Sequence, residues 1–448
     1  MSITQSIFEE ITIESADRRR VVDITSGSVM IDYYEDVFSP TITAKIRVVN
    51  TGGTIAPPDS KDTQKQSLYD GLPIRGGERV SIKIAPNSKT NPGLDFSTDP
   101  KKYLYVSSIT DVISENNRES FTLHLVSREA ITNETSRVMK KYSPSLSIDR
   151  SVNLILNDVL KANVIGTIDR TSNRYGFIGN MRKPFTVLTW LASKSVPYDS
   201  GSGSTSAGFF FYQTQDGFQF RAIDNLSDKE KNKPKAVYIY SEATEAYDAE
   251  NKRQNNNFKI LSYKTEKNQN LIEKLRLGTY ASTRMFFNPS THTFSNPQQG
   301  VYKSSNYQGK TKTLGKEKKI SLPTVSQGSS QTLADIPSRI ITAVYDIGTL
   351  DPGVSTQINS NQMEYQSQSL LRYNTLFTQT LSLMVPSNTN LRAGDIIECQ
   401  FPKITRGDAR EYDDTQKGGL YMIKEVCHHF DTRNSYTSLK LIRDTFGS

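Results

Sequence analysis

The chain has 448 residues, of which only 35% are hydrophobic, so several small cores beneath a large polar surface are expected. No run approaches the ~20 consecutive apolar residues of a membrane-spanning helix. The start, Met1-Ser2-Ile3-Thr4-Gln5, lacks the basic and apolar regions of a signal peptide, which predicts synthesis and assembly in a cytoplasm. A net charge of +8 with a pI near 9.1 permits nucleic-acid or acidic partners but does not require them, because acids are interleaved with the bases.

From Arg20 to Ser127 the pattern is that of strands. Thr41–Val49 and Arg79–Ile84 alternate apolar and polar residues, as strands buried on one face do. Tyr103–Ile113 and Ser120–Val126 predict a hairpin turning at Asn116-Asn117. Asn50–Arg75 and Ala85–Pro100, rich in Gly, Pro, Asp, Asn and Lys, read as long projecting loops.

The character changes near Pro144. Ser147 and Asp149 suit a helix start before an apolar stripe at Val152, Ile155, Leu156, Val159 and Leu160. Pro184–Ala192 predicts a second helix with Pro in its first turn. Gly201–Ser206 reads as a flexible tip. Phe209–Thr214 and Gly217–Ile223 then form a hairpin across Gln215-Asp216, and the charged loop Ser227–Pro234 follows. Strand patterns return over Phe258–Tyr263 and Leu275–Ser282. Residues 286–333 are polar with little periodicity and read as an extended arm or insertion that orders on a partner. Gln362–Tyr373 predicts a helix contacting its surroundings through Leu370 and Leu371. Four strands close the chain: Phe377–Val385, Asp395–Phe401, Leu420–Phe430 and Tyr436–Ile442.

The last stretch echoes the first. Gly77-Glu78 opens one strand and Gly394-Asp395 another. A polar loop, a long strand and an Asn-containing turn follow each. Ser120-Phe-Thr-Leu-His-Leu-Val-Ser-Arg-Glu129 then parallels Ser435-Tyr-Thr-Ser-Leu-Lys-Leu-Ile-Arg-Asp444. Two unrelated sheets are the bland explanation; a tandem pair of similar domains is the sharper one. With two copies per chain, a trimer presents six similar modules.

Sequence signatures for catalysis are missing. His428 and His429 fall on opposite faces of a strand and cannot converge on a metal; one is expected buried and the other exposed. His124 reads as a strand-surface residue. There is no nucleophile elbow, phosphate loop or zinc-protease motif. Glu245 and Asp248 carry no marking context, and Arg406-Gly407-Asp408 reads as a chance match. Cys399 and Cys427 read as small apolar fillers, with one cross-strand disulfide as the alternative. The run from Lys310 to Lys319 reads as a solvated loop, with a phosphate-contacting patch as the alternative. The prediction is therefore no catalytic, cofactor-binding or metal-binding residues, and no cofactor.

The runs Leu391–Glu398, Gly419–Phe430 and Tyr436–Asp444 resemble the closing barrel of contractile-tailed phage baseplate hub subunits. That group spans T-even-type central hubs, late-control D proteins and type VI secretion spike bases. Lys183–Ser193, with Gly208–Tyr212 and Asp216–Arg221, is similar to the T-even-type subunit. The resemblance implies a mainly β fold with a smaller α/β part, in which two similar tube-type antiparallel β-barrels are joined by a middle α/β domain. Residues 1–143 would form the first barrel and 144–254 the middle domain. Residues 255–297 with 375–448 would form the second barrel, leaving 298–374 as an inserted arm and helix.

The implied function is structural: a homotrimeric, pseudo-sixfold ring in the virion. It would join the tail tube protein or tube initiator to a central spike protein, with baseplate wedge proteins as further partners. DNA would pass through the lumen without sequence-specific binding, and no stable membrane insertion is expected. The surplus positive charge is expected away from the lumen. Rival readings are a tail-associated cell-wall hydrolase with β-domains and a basic DNA-binding virion protein.

Overall fold

The computed structural model describes residues 6–50, 67–86, 91–115, 118–198, 206–242, 246–247, 253–298, 300–304, 311–316, 322–346, 362–403 and 414–447. Asn116-Asn117, Gly201–Thr205, Glu245, Asp248 and Arg406-Gly407-Asp408 lie outside them, as does most of Asn50–Arg75.

Alternating residues make the first set of strands: β1 (Phe8–Glu14), β2 (Ser28–Asp36), β3 (Thr43–Asn50), β4 (Arg79–Ile84), β5 (Leu104–Glu115) and β6 (Arg118–Ser127). In β3, Ala44, Ile46 and Val48 are buried while Lys45 and Arg47 are exposed, the alternation that a strand with one covered face requires. These strands pack around Ile31, Tyr33, Ile46, Val80, Ile82, Leu104 and Leu123.

The middle segment holds α1 (Ile148–Leu154), which runs on through a wider π-helical turn to Leu160 and stops at Lys161 in left-handed conformation. Here α2 (Pro184–Lys194) buries Phe185, Val187, Leu188 and Leu191. They face the hairpin of β7 (Phe209–Thr214) and β8 (Gly217–Ala222), to which Ile165–Ile168 adds a parallel strand.

Farther along come β9 (Val237–Tyr240), β10 (Ser262–Asn268), α3 (Leu271–Arg276), β11 (Ala281–Asn288), β12 (Arg339–Val344) and α4 (Gln362–Leu376). The chain ends in β13 (Gln379–Pro386), β14 (Ile396–Gln400), β15 (Gly419–Asp431) and β16 (Ser435–Arg443). A second core lies among Leu381, Leu383, Ile397, Ile423, Val426, Leu439 and Leu441.

Three expectations are corrected. Leu275–Ser282 is not one strand. The Asn270 side chain caps α3 by accepting from the Glu273 N–H, Gly278 at φ +69° ends the turn, and the strand begins only at Ala281. In its described parts, the 286–333 stretch is not an extended arm. Thr293–Phe294 and Val301–Lys303 pair with β11, and Leu314 is buried with its N–H donating to Asp444 at 2.9 Å. Finally, α4 makes contact through buried Leu371 and half-buried Leu370 as expected, but the leucines are not its whole contact face, because Ser367, Gln368, Ser369 and Arg372 are buried with them.

The fold is mainly β, with antiparallel ladders predominating. Its strands form open sheets rather than closed barrels, because the second edge of β2 is taken by β15 instead of returning to its own set.

Candidate assembly interface

Two five-strand sets share one pairing order. In the first, neighbours run β2-β3-β6-β5-β4; in the second, β10-β13-β16-β15-β14; every pair is antiparallel. Chain order is the same in both. The turns that open β4 and β14 agree atom by atom. Gly77 N–H donates to Val106 O at 2.8 Å, and Gly394 N–H to Ile423 O at 2.8 Å. Val106 N–H returns to Glu78 O, and Ile423 N–H to Asp395 O, both at 2.9 Å. The Glu78 carboxylate accepts from Arg75 N–H as Asp395 accepts from Arg392 N–H. One residue later both long strands bulge, at Ser107 and at Lys424. Gly77 and Gly394 have φ +93° and +89°, a region glycine enters without steric cost.

The flanks differ. β1 lies antiparallel on β4, whereas β9 lies parallel on β14.

The sets meet where the second half of β15 pairs with β2, from Glu425 opposite Asp36 to Asp431 opposite Met30. Lys424 Nζ lies 2.7 Å from Asp36. His428 is fully buried, with its ring nitrogens at Thr437 Oγ1 (3.1 Å) and Leu391 O (3.2 Å), and burial pushes its pKa down to about 3. His429 is half-buried rather than exposed: its Nδ1 lies 2.5 Å from Asp32 Oδ1, and that hydrogen bond raises its pKa. His124 is a half-buried strand residue within 2.9 Å of Thr110 Oγ1.

Behind this seam the buried Glu35 carboxylate accepts from Tyr33 OH (2.8 Å), Gln215 N–H (2.7 Å) and Ala393 N–H (3.0 Å). It thereby joins both sets to the middle hairpin, and burial raises its pKa. A second buried centre holds Arg372, paired with Asp444 at 2.6 Å and Asp224 at 3.2 Å. Neither centre was foreseen. A Glu in a strand and an Arg in a helix read as surface charges until the chain brings distant partners to them.

Cys399 is buried, Cys427 is partly buried, and both are free thiols; burial raises both, Cys427 to about 12. Within the Lys310–Lys319 run, Lys312 Nζ lies 3.7 Å from Asp228; Lys310 and residues 317–319 lie outside the described residues. Among the described residues, no cluster of three or more His, Cys, Asp or Glu could hold a metal.

A tail protein of Neisseria meningitidis MC58 matches this fold with a TM-score of 0.52 at 9% identity, covering 98% of this chain and 97% of that one. The chain has the fold of phage tail proteins. The 43 kDa tail protein of prophage MuSo2 from Shewanella oneidensis agrees, with a TM-score of 0.50 at 7% identity over 97% and 98% of the two chains. The E. coli c3393 protein, a type VI secretion component, gives a TM-score of 0.40 at 10% identity over 94% and 75%. A scan against protein-family models finds no match, and a search of curated proteins finds none.

Proposed function

We propose that this chain is a structural hub subunit of a phage-tail baseplate, working through its geometry and not through catalysis. Three copies form a ring of six similar modules, with the tail tube or its initiator above, the central spike below and wedge proteins outside. DNA passes through the bore, with the surplus positive charge kept away from it. Residues 1–143 make the first tube-type module and 144–254 the middle part. Residues 255–297 with 375–448 make the second module, with β9 lent to its sheet, and 298–374 are the insertion. The virion is its location, reached after assembly in the host cytoplasm.

One observation carries this reading: five antiparallel strands recur in the same pairing order within one polypeptide. Such a chain lets a threefold object offer six similar edges to a sixfold tube. Native mass spectrometry of the purified protein tests it. A mass of three chains is expected, and a monomer or dimer at all concentrations overturns the ring. Cell-wall clearing by the pure protein would instead favour a hydrolase. Salt-dependent duplex DNA binding would favour a nucleic-acid-binding protein.

A further inference from the structure

Each strand at the internal seam has a counterpart in the other set, and among the described residues the corresponding edges of those counterparts are unpaired. The pairing order makes β5 the equivalent of β15, and β10 the equivalent of β2. In β15 and β2, every seam residue from Glu425 to Asp431 and from Met30 to Asp36 is buried or half-buried. In β5, pairing with β4 ends at Tyr105, and among the described residues the edge beyond the bulge at Ser107 is unpaired. Every residue from Thr110 to Glu115 is exposed, including Val112 at 45% and Ile113 at 52%. In β10, among the described residues, only the edge facing β13 is used, and Ser262–Glu266 are exposed. Long unpaired edges carrying apolar side chains are templates for another strand.

We infer that β5 of one subunit pairs antiparallel with β10 of the next copy of this chain, repeating between subunits the β15–β2 seam found within one. The inference rests on the ring reading above and names the contact that closes it. Modules then alternate around the ring, and every junction is a strand ladder of the same kind. The internal register carries over to Ile113–Glu115, beyond a second bulge of β5 between Thr110 and Ile113 that β15 lacks. His429 faces Asp32 within the chain; their equivalents, through the shared neighbours on β6, β16, β3 and β13, are Ile113 and Lys264. Phe430 opposite Ile31 becomes Ser114 opposite Tyr263. Ile113 and Tyr263 then lie on opposite faces of one ladder, and what the pairing satisfies is the backbone N–H and C=O groups of both edges. Lys264 lies diagonal to Glu115.

Cysteines at Ile113 and Lys264 test the register, since directly opposed Cβ atoms in such a ladder lie about 4.5–5.5 Å apart. Full-length I113C and K264C chains are mixed, assembled and mildly oxidised, with the unsubstituted chain as control for Cys427. The expected product is a covalent dimer containing one of each chain. The doubly substituted chain should shift from one chain length to a ladder ending at three. Amide exchange gives a second readout on the unsubstituted protein: Ser107–Glu115 and Ser262–Asn268 should exchange more slowly in the oligomer than in monomer obtained by dilution. A three-chain oligomer with neither the crosslink nor the protection overturns this edge pairing and leaves the ring standing. A chain that stays monomeric overturns both.

Discussion

The Glu35 carboxylate accepts a 3.0 Å hydrogen bond from the backbone N–H of Ala393, on the far side of the seam between the two strand sets. The same group also holds Gln215 N–H of the middle hairpin. Glu35→Gln offers one acceptor oxygen where the carboxylate has two, so one of these buried N–H groups loses its partner. The expected loss is about 1–3 kcal/mol, read by urea unfolding. Burial raises the Glu35 pKa above its unfolded value. Its contribution is therefore greatest at low pH and declines as pH rises from the unfolded value through the raised folded one. Glu35→Gln should flatten that part of the stability profile.

His429 behaves as a pH-dependent clasp on the same seam. The hydrogen bond to Asp32 raises its pKa above the unfolded value of about 6.5. A raised basic pKa stabilises the protonated form. The contribution is complete below the unfolded pKa and is lost as pH rises through the folded one. The protection factors of the Asp32 and Phe430 amides, which correct for base-catalysed intrinsic exchange, should therefore fall between mildly acidic and mildly alkaline buffer, and His429→Gln should abolish that fall.

Arg372 is the cation between two buried carboxylates, Asp444 and Asp224. Burial works against its charge, but the two acids outweigh burial and raise its pKa. Arg372→Met leaves both buried acids without this counter-ion, and the expected cost is about 3–5 kcal/mol. Asp224→Asn, which keeps Asp444 as a counter-ion, should cost less. Denaturant titrations of both variants decide the order.

The repeated turn offers a matched pair of substitutions. Gly77→Ala and Gly394→Ala both force a side chain into positive φ, at a cost of about 1–2 kcal/mol. A Cβ at Gly77 meets nothing within 4 Å, whereas at Gly394 it runs into the buried Tyr212 hydroxyl. Gly394→Ala should therefore lower the melting temperature more than Gly77→Ala.

The sequence by itself determined alternating strands such as Thr43–Asn50, Arg79–Ile84 and Gln379–Pro386, the hairpin at Gln215-Asp216 and the echo between Gly77-Glu78 and Gly394-Asp395. Each of those is a local pattern: alternation has a period of two, and a turn needs its own residues only. The tertiary structure alone decided that β2 spends its second edge on β15, that Arg372 and Glu35 are buried, and that residues after Asn288 fold back onto β11. A strand's pattern says which face is covered but not which distant strand takes its edge. A charged side chain likewise reads as exposed until chain segments far apart in sequence supply its partners.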